Sequence, residues 1–298
     1  MNTKLSIVVI TMNRATQLIE ALESCLRCKL PSVQFVIVDN ASTDDTDKRV
    51  HSFFEDKDVD YFYEKVPVNL GVGKGRNYAY SHVKGEYAYF LDDDAVIDTE
   101  RNNLFFEIAI NRLDSNPDIM SLSTQIYDNA WEANRKECSS VKIADNIYKY
   151  YMLCGGSHFL RTSFFKADPY YSNKYAYEEL LPSIRVADAN KLNVFCPDIK
   201  IIHNPKVNKW NKDLANLAIR INEFACQRRI KSMLYPRIFA PVLYVAYCMR
   251  YFKYLRGTNM WATGNEIMDG LEKNHKINKR VKVSTVITLY KDFGLEIF

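Results

Sequence analysis

Three consecutive aspartates, Asp92, Asp93 and Asp94, close an apolar run in the stretch YAYFLDDDAVID. Two full like charges about 4 Å apart at an effective dielectric of 20 repel by about 4 kcal/mol, so a cluster of this kind calls for a counter-charge. Its ligands are hard oxygens, with no cysteine or group of histidines close by in the sequence, and the cations that suit them are Mg²⁺ and Mn²⁺. Mg²⁺ takes few protein carboxylates and fills its other positions with water and substrate phosphates, which points to a phosphorylated substrate. A solvated acidic turn is the plainer reading of the same residues. A second stretch, NLGVGKGRNYA (69–79), is a glycine-rich loop running into a helix, with Lys74 and Arg76 beside its amides. Such a loop can approach a phosphate or a sugar. Its glycines run G-x-G-x-G, which is neither the dinucleotide fingerprint nor a Walker loop.

These residues need elements to place them. LSIVVIT (5–11) and FVIVDN (35–40) are continuous β-branched runs of the kind that forms parallel strands buried on both faces. Between them Leu18, Leu22, Cys25 and Leu26 recur at helical spacing, which gives a βαβ unit. Ser42 or Thr43 is placed to cap a second helix, with Asp44, Asp45 and Asp47 in its first turn. VDYFYEK (59–65) reads as a third strand, the stretch after Gly71 as a third helix, and YAYFLD (87–92) as a fourth strand. The fold class is therefore α/β, with a doubly wound, mostly parallel twisted sheet and flanking helices. Such sheets bind ligands beyond the carboxyl ends of their strands. Asp39 ends the second strand and the triplet ends the fourth, so both are expected on one rim.

Farther along, IMSLSTQIYD and YYMLCGGSHFLR read as strands, and YAYEELLPSIRVADANK as largely helical with Pro182 as a local irregularity. VFCPDIKIIHNP supplies two short strands that Pro205 closes. The chain then turns helical. Trp210, Leu214, Leu217, Ile221 and Phe224 form one apolar stripe, and IFAPVLYVAYCM (238–249) is an apolar run too short to span a bilayer and broken by Pro241. The expected organisation is an α/β domain over residues 1–205 and a basic helical extension over 206–298.

In order and spacing, SIVVITMNR, VIVDNASTDDT, NLGVGKGRN and FLDDDA resemble glycosyltransferase family 2 with its GT-A fold. CGGSHFLRTSFF, YEELLPSIR and PDIKIIH continue the likeness, which covers roughly residues 4–205. The resemblance implies an inverting, metal-dependent glycosyltransferase of the type that builds bacterial polysaccharides and cell-surface glycans. Its donor would be a UDP- or dTDP-sugar and its acceptor a hydroxyl of a glycan or lipid-linked glycan. On this likeness Asp39 reads the pyrimidine base, Thr11 and Asn13 line the same pocket, and Gly71 and Arg76 belong to the donor site. Asp92 and Asp94 are the outer members of the DXD motif, with Asp94 the direct ligand of Mn²⁺ or Mg²⁺ and Asp92 nearer the ribose or the metal. Asp93 faces the donor sugar, His203 completes the metal site, and Gly155 and Gly156 let the sugar approach the backbone. Glu178 and Glu179 resemble the family's acidic pair, with Glu179 the general base and Glu178 next in line. The sequence departs from the pattern in having Glu at 179, Leu181 where an aspartate is frequent, and Pro182 at a usually apolar position, while Arg185 matches. Trp131 offers the acceptor a stacking face.

The 298 residues are 47% hydrophobic and 26% charged, which excludes a disordered chain and suffices for one large α/β domain with an appendage. Net charge is +4, unevenly spread: residues 206–298 hold 17 Lys/Arg against 7 Asp/Glu. An acidic body with a basic tail turns the tail toward something anionic, such as a membrane surface, a phosphorylated acceptor or nucleic acid. A solvated helical surface fits as well. The reading adopted is peripheral membrane contact, packing on the catalytic domain, or a homo-oligomer, without nucleic acid. Seven scattered cysteines and an opening run too short for a leader lead to the expectation of a cytoplasmic protein, which the basic tail would bring to the inner face of the membrane. Cys25 and Cys28 form a CxxC near the end of a predicted helix, where redox or zinc chemistry is not expected. Two rival functions are a sugar-phosphate nucleotidyltransferase, whose glycine signature after the first strand is missing from ITMNRATQL, and a non-catalytic carbohydrate- or partner-binding module on a transferase scaffold.

Overall fold

The computed structural model describes residues 3–99, 103–136, 138–174, 176–205, 214–255 and 279–298, with 214–222, 251 and 253–255 at backbone level only. The first half is built as its β-branched runs dictate. Strands β1 (Leu5–Thr11), β2 (Val33–Asp39), β3 (Asp60–Lys65) and β4 (Tyr87–Leu91) lie parallel in the order β3-β2-β1-β4. The register sets Thr11 opposite Asp39 and Asp39 opposite Lys65, so these strands end level. Val8 lies opposite Phe90, and the three aspartates therefore follow β4 beside the end of β1.

Helix α1 (Ala15–Leu26) buries Leu18, Leu22 and Cys25 on its periodic face. Cys25 and Cys28 are both buried as free thiols, and burial pushes the Cys28 thiol up to about 12, which suits packing rather than redox chemistry. Helix α2 (Thr46–Phe54) begins later than the expected Ser42 or Thr43 cap. The Ser42 hydroxyl instead accepts the Asn13 amide, and Asp44 Oδ1 accepts the Thr46 amide at 3.2 Å. Helix α3 (Val72–Tyr80) follows the glycine-rich stretch.

Beyond β4 come β5 (Ala95–Ile97), helix α4 (Phe105–Ser115), β6 (Ile119–Asp128), β7 (Ala133–Asn134), β8 (Ser140–Ala144), β9 (Ile147–Tyr150), β10 (Ser157–Arg161), helix α5 (Leu180–Asp188) and β11 (Leu192–His203). The sheet continues as β4-β10-β6-β11-β9-β8, with β10 antiparallel to both its neighbours and β11 parallel to β6. Two expectations are corrected here. In the YYMLCGGSHFLR stretch only Tyr150, the end of β9, and Ser157–Arg161, which form β10, are strand, and the two short strands before Pro205 are one strand, β11. A register shift between Cys196 and Lys200 absorbs Pro197, which has no N–H to give the ladder. Pro182 sits in the first turn of α5, where its missing donor is not needed, so the helix is not interrupted.

The core runs through the sheet. Tyr89 of β4 is fully buried among Phe105, Phe106 and Phe159, and its hydroxyl is satisfied by Ser157 Oγ at 2.8 Å. The same core takes in the C-terminal helices α6 (Leu214–Leu234), α7 (Ala240–Leu255) and α8 (Val283–Phe293), through Ile230, Leu234, Leu243, Val286, Leu289 and Phe293. Asp188 Oδ1 accepts the Lys282 amide and the Thr285 hydroxyl, and Arg185 donates to the Lys279 carbonyl at 2.6 Å. The extension is thus packed on the body. Pro241 lies in the first turn of α7 and starts the helix rather than breaking it. The side chains of the stripe from Trp210 to Ile221 lie outside the described residues.

Candidate active site

The loops after β1 and β2 are tied into one wall by a chain of hydrogen bonds. Buried Asp39 accepts the Ser42 amide on Oδ1 at 2.7 Å and the Tyr63 hydroxyl on Oδ2 at 2.9 Å. Ser42 Oγ accepts the Asn13 amide at 2.8 Å, and Asn13 Oδ1 accepts the Thr43 amide at 2.7 Å. Asn13 holds a left-handed φ of 55°, a conformation that asparagine tolerates better than most residues. Thr11 Oγ1 donates to Asp93 Oδ2 at 2.7 Å, which joins this wall to the triplet.

The three aspartates point in different directions. Asp93 is buried, and burial pushes its carboxyl up to about 6 although the Arg14 charge pulls it down. Arg14 Nη1 donates to Asp93 Oδ1 at 2.7 Å and to Asp94 Oδ2 at 2.9 Å. Asp94 Oδ1 lies 3.2 Å from His203 Nε2. Burial would raise Asp94, but the hydrogen bond and charge of His203, with Arg14, hold it below its ordinary value. The sheet explains the meeting: β5 pairs with β11 so that Ala95 faces His203, and Asn204 N donates to the Asp94 carbonyl at 2.7 Å. On its other side His203 Nδ1 meets Asp128 Oδ2 at 2.9 Å, since β6 and β11 end level. Arg135 donates to that same carboxylate through Nε at 2.9 Å. Ligand atoms of Asp92, Asp94 and His203 all lie within 4.8 Å of one another, a carboxylate–imidazole set that could hold a metal ion.

Arg76 corrects an expectation. It is not beside open loop amides but buried, with a guanidinium shared among four acceptors. Nη1 donates to Glu178 Oε1 at 2.9 Å and to Glu179 Oε1, and Nη2 donates to Asp92 Oδ1 at 3.2 Å and to the Gly155 carbonyl at 2.6 Å. Glu178 and Glu179 precede α5 and are both buried. Burial, and after it the Glu179 charge, push the Glu178 carboxyl well above the ordinary carboxylate range against the pull of Arg76. Its Oε2 is buried without a hydrogen-bond partner among the described residues.

The glycines likewise serve the chain itself. A Cβ at Gly71, which has φ +76°, would lie 2.5 Å from Lys174 Cα, and one at Gly73 would lie 2.0 Å from the Tyr171 carbonyl oxygen. The glycine-rich loop therefore lets α3 pack on the 171–174 segment. A Cβ at Gly155 would lie 2.7 Å from Glu179 Oε1, and one at Gly156 would lie 3.1 Å from Asp92 Oδ2. This pair makes room for the two carboxylates. Trp131 is half exposed, with the Arg135 guanidinium 5.3 Å from its ring centroid.

Sequence reading missed Arg14, Asp128 and Arg135, and also a buried pair beneath the site. His158 accepts the Tyr170 hydroxyl on Nε2 at 2.6 Å and donates from Nδ1 to the Cys154 carbonyl at 2.7 Å. Burial, with the nearby Arg76 charge, lowers this imidazole to about 3, so it is neutral. The Tyr170 ring in turn lies 5.6 Å from the Arg76 guanidinium.

Known proteins share this pattern and this fold. An uncharacterized glycosyltransferase of Rickettsia felis is 31% identical over 120 residues, which is 40% of this chain and 19% of that protein. The Campylobacter jejuni GalNAc(5)-diNAcBac-PP-undecaprenol beta-1,3-glucosyltransferase is 30% identical over 91 residues, 30% of this chain and 29% of that protein. The match thus spans 19% and 29% of the length of these two relatives. Among solved structures, S. aureus TarS 1-349 in complex with UDP-GlcNAc gives a TM-score of 0.61 at 17% identity, covering 91% of this chain and 82% of that one. Mannosyltransferase PcManGT from Pyrobaculum calidifontis, in complex with GDP-Man and Mn²⁺, gives 0.59 at 16% identity, covering 98% and 79%. At these identities the likeness is one of fold, the mixed α/β architecture of the GT-A glycosyltransferases. The family model "Glycosyl transferase family 2" matches residues 6–165, more than half of the sequence, and the chain belongs to that family.

Proposed function

We propose that the protein transfers a sugar from a UDP- or dTDP-linked donor to a hydroxyl of a glycan or lipid-linked glycan, inverting the anomeric carbon in a single displacement. One observation carries this reading: the Asp92, Asp94 and His203 set and the Glu179 carboxylate share one rim, connected through Arg76. Asp39, Thr11 and Asn13 form the adjoining wall and are proposed to take the nucleotide, with Asp39 at the base. Asp93 is proposed to face the donor sugar.

A Mn²⁺ or Mg²⁺ ion held by Asp92, Asp94 and His203 would neutralise the donor diphosphate and stabilise it as a leaving group. Glu179 takes the proton of the acceptor hydroxyl while that oxygen attacks from the face opposite the leaving group. Bond breaking running ahead of bond making gives the sugar oxocarbenium character, as in glycoside hydrolysis. Arg76 orients Glu179 and leaves the chemistry to the carboxylate. Residues 1–205 would carry the reaction. Residues 206–298 would set where it happens, at the cytoplasmic face of a membrane on a polysaccharide or other surface glycan.

Calorimetric titration with UDP, dTDP, GDP and CDP, each with and without Mn²⁺, tests the donor side. The expected result is selective, Mn²⁺-dependent binding of UDP or dTDP. Preference for GDP would overturn the pyrimidine assignment, and binding of none would overturn the donor site.

A further inference from the structure

The two ring nitrogens of buried His203 have unlike surroundings. Nε2 faces Asp94 Oδ1 at 3.2 Å, on the side shared with Asp92. Nδ1 has two neighbours of opposite character: Asp128 Oδ2, an acceptor, at 2.9 Å, and Arg135 Nη2, a donor, also at 2.9 Å. A neutral imidazole carries one proton, and only the nitrogen without it can bind a cation. A proton on Nδ1 suits Asp128 and leaves the Nε2 lone pair to the rim. A lone pair on Nδ1 suits Arg135, and the proton then sits on Nε2 and closes that nitrogen to a cation. The two residues pull the ring toward opposite tautomers.

The fold decides between them. Asp128 ends β6, fully buried, and pairs in register with His203 at the end of β11. Its Oδ1 accepts the Ala130 amide at 2.9 Å, and its carbonyl accepts the Trp131 amide, so the turn after β6 fixes the carboxylate. Strand β7 returns the chain with Ala133 opposite Asp128, and Arg135 then reaches Asp128 Oδ2 through both Nε, at 2.9 Å, and Nη2. A guanidinium bonds more strongly to a carboxylate than to a neutral ring nitrogen. Arg135 is thereby engaged by Asp128, and Oδ2 stays aimed at Nδ1.

We infer that Asp128 is a positioning residue for the cation site: it accepts the Nδ1 proton of His203 and so keeps Nε2 open beside Asp92 and Asp94. Arg135 holds Asp128 in place and, without that carboxylate, would favour the wrong tautomer. A carboxylate behind a ligating imidazole orients the ring and raises its basicity. The inference rests on the proposed cation set of Asp92, Asp94 and His203.

The test compares Mn²⁺ affinities of the full chain, read from the electron paramagnetic resonance signal of the free ion, in the presence and absence of UDP. In Asp128→Asn the Ala130 amide claims the remaining oxygen, and an NH₂ donor takes the place of Oδ2. This nearly isosteric change should weaken Mn²⁺ binding by about 10–100-fold. In Asp128→Ala/Arg135→Met both of these Nδ1 neighbours are truncated, and Mn²⁺ should bind more tightly than it does to Asp128→Asn. A merely structural role gives the reverse order, because asparagine keeps the shape that the double variant loses. That reverse order overturns the proposal. So does undiminished binding by Asp128→Asn where His203→Ala weakens it, a result that spares the cation set. Undiminished binding by both single variants removes the cation set and this proposal with it. Nitrogen-15 histidine spectra of metal-free wild type need no variant of Asp128: Nδ1 of His203, assigned by its loss in His203→Ala, should carry a proton, and a bare Nδ1 overturns the proposal.

Discussion

Arg76 grips Glu179 from the buried side, with Nη1 donating to Glu179 Oε1 while Nη2 reaches Asp92 Oδ1 at 3.2 Å. One guanidinium thereby fixes the spacing between the carboxylate at the start of α5 and the first carboxylate after β4. Only 4% of Arg76 is exposed, so solvent cannot replace it. Arg76→Ala would leave two buried carboxyls without a counter-charge, and breaking a buried pair from one side costs about 3–5 kcal/mol. Arg76→Lys keeps the charge but loses the fork that serves Asp92 and the Gly155 carbonyl together, and should fall between wild type and alanine. Urea denaturation measures both. A loss below about 1 kcal/mol for alanine, the level of an exposed pair, would show that the cluster is not held by this ion pair.

Glu179→Gln preserves shape and an oxygen for Arg76 but removes the proposed proton acceptor. Turnover should fall by about 10²–10⁴-fold while the dissociation constant for the donor diphosphate stays the same. Steady-state kinetics with titration of the free diphosphate separates the two. If Glu178→Gln abolishes turnover and Glu179→Gln retains it, the roles within the pair are exchanged.

Asp94 is where the proposed cation site is most exposed to challenge, since it touches both His203 and Arg14. Mn²⁺ should raise the melting temperature of wild type, and at a hundred times the dissociation constant the stabilisation is about 2.7 kcal/mol. Asp94→Ala and His203→Ala should flatten that response, and a chelator should abolish transfer by wild type. An undiminished Mn²⁺ shift in Asp94→Ala would remove this ligand set from consideration.

The rim is legible in the sequence because parallel strands buried on both faces are written as continuous β-branched runs whose ends are marked by the first polar residues. Asp39 and the triplet are such ends, and level registers place them together. The second half is harder to read. Asp128 and His203 are 75 positions apart and meet only because β6 and β11 end side by side, which no local spacing encodes. Arg14 looks like an ordinary residue before a helix, and its contact with Asp93 and Asp94 depends on two neighbouring strand ends. Glycines announce a close approach without saying of what. At Gly71 and Gly73 the approaching group is the 171–174 backbone, and at Gly155 and Gly156 it is a carboxylate.

His158 gives the fold a pH dependence of definite sign. The buried neutral ring titrates at about 3 in the folded protein, against about 6.5 for an unperturbed histidine. Below pH 6.5 the unfolded chain therefore binds a proton that the folded chain refuses. Its contribution to stability is complete above pH 6.5, falls as the pH drops, and is exhausted near pH 3. Between pH 7 and pH 5 the loss from this group is about 2 kcal/mol. His158→Gln removes the titrating ring and keeps polar atoms for the Tyr170 hydroxyl and the Cys154 carbonyl, which His158 now engages. The variant should be less stable than wild type at pH 7, yet lose about 2 kcal/mol less on going to pH 5, as urea denaturation at the two values would read. Equal losses in both proteins would mean that His158 takes up its proton as readily folded as unfolded.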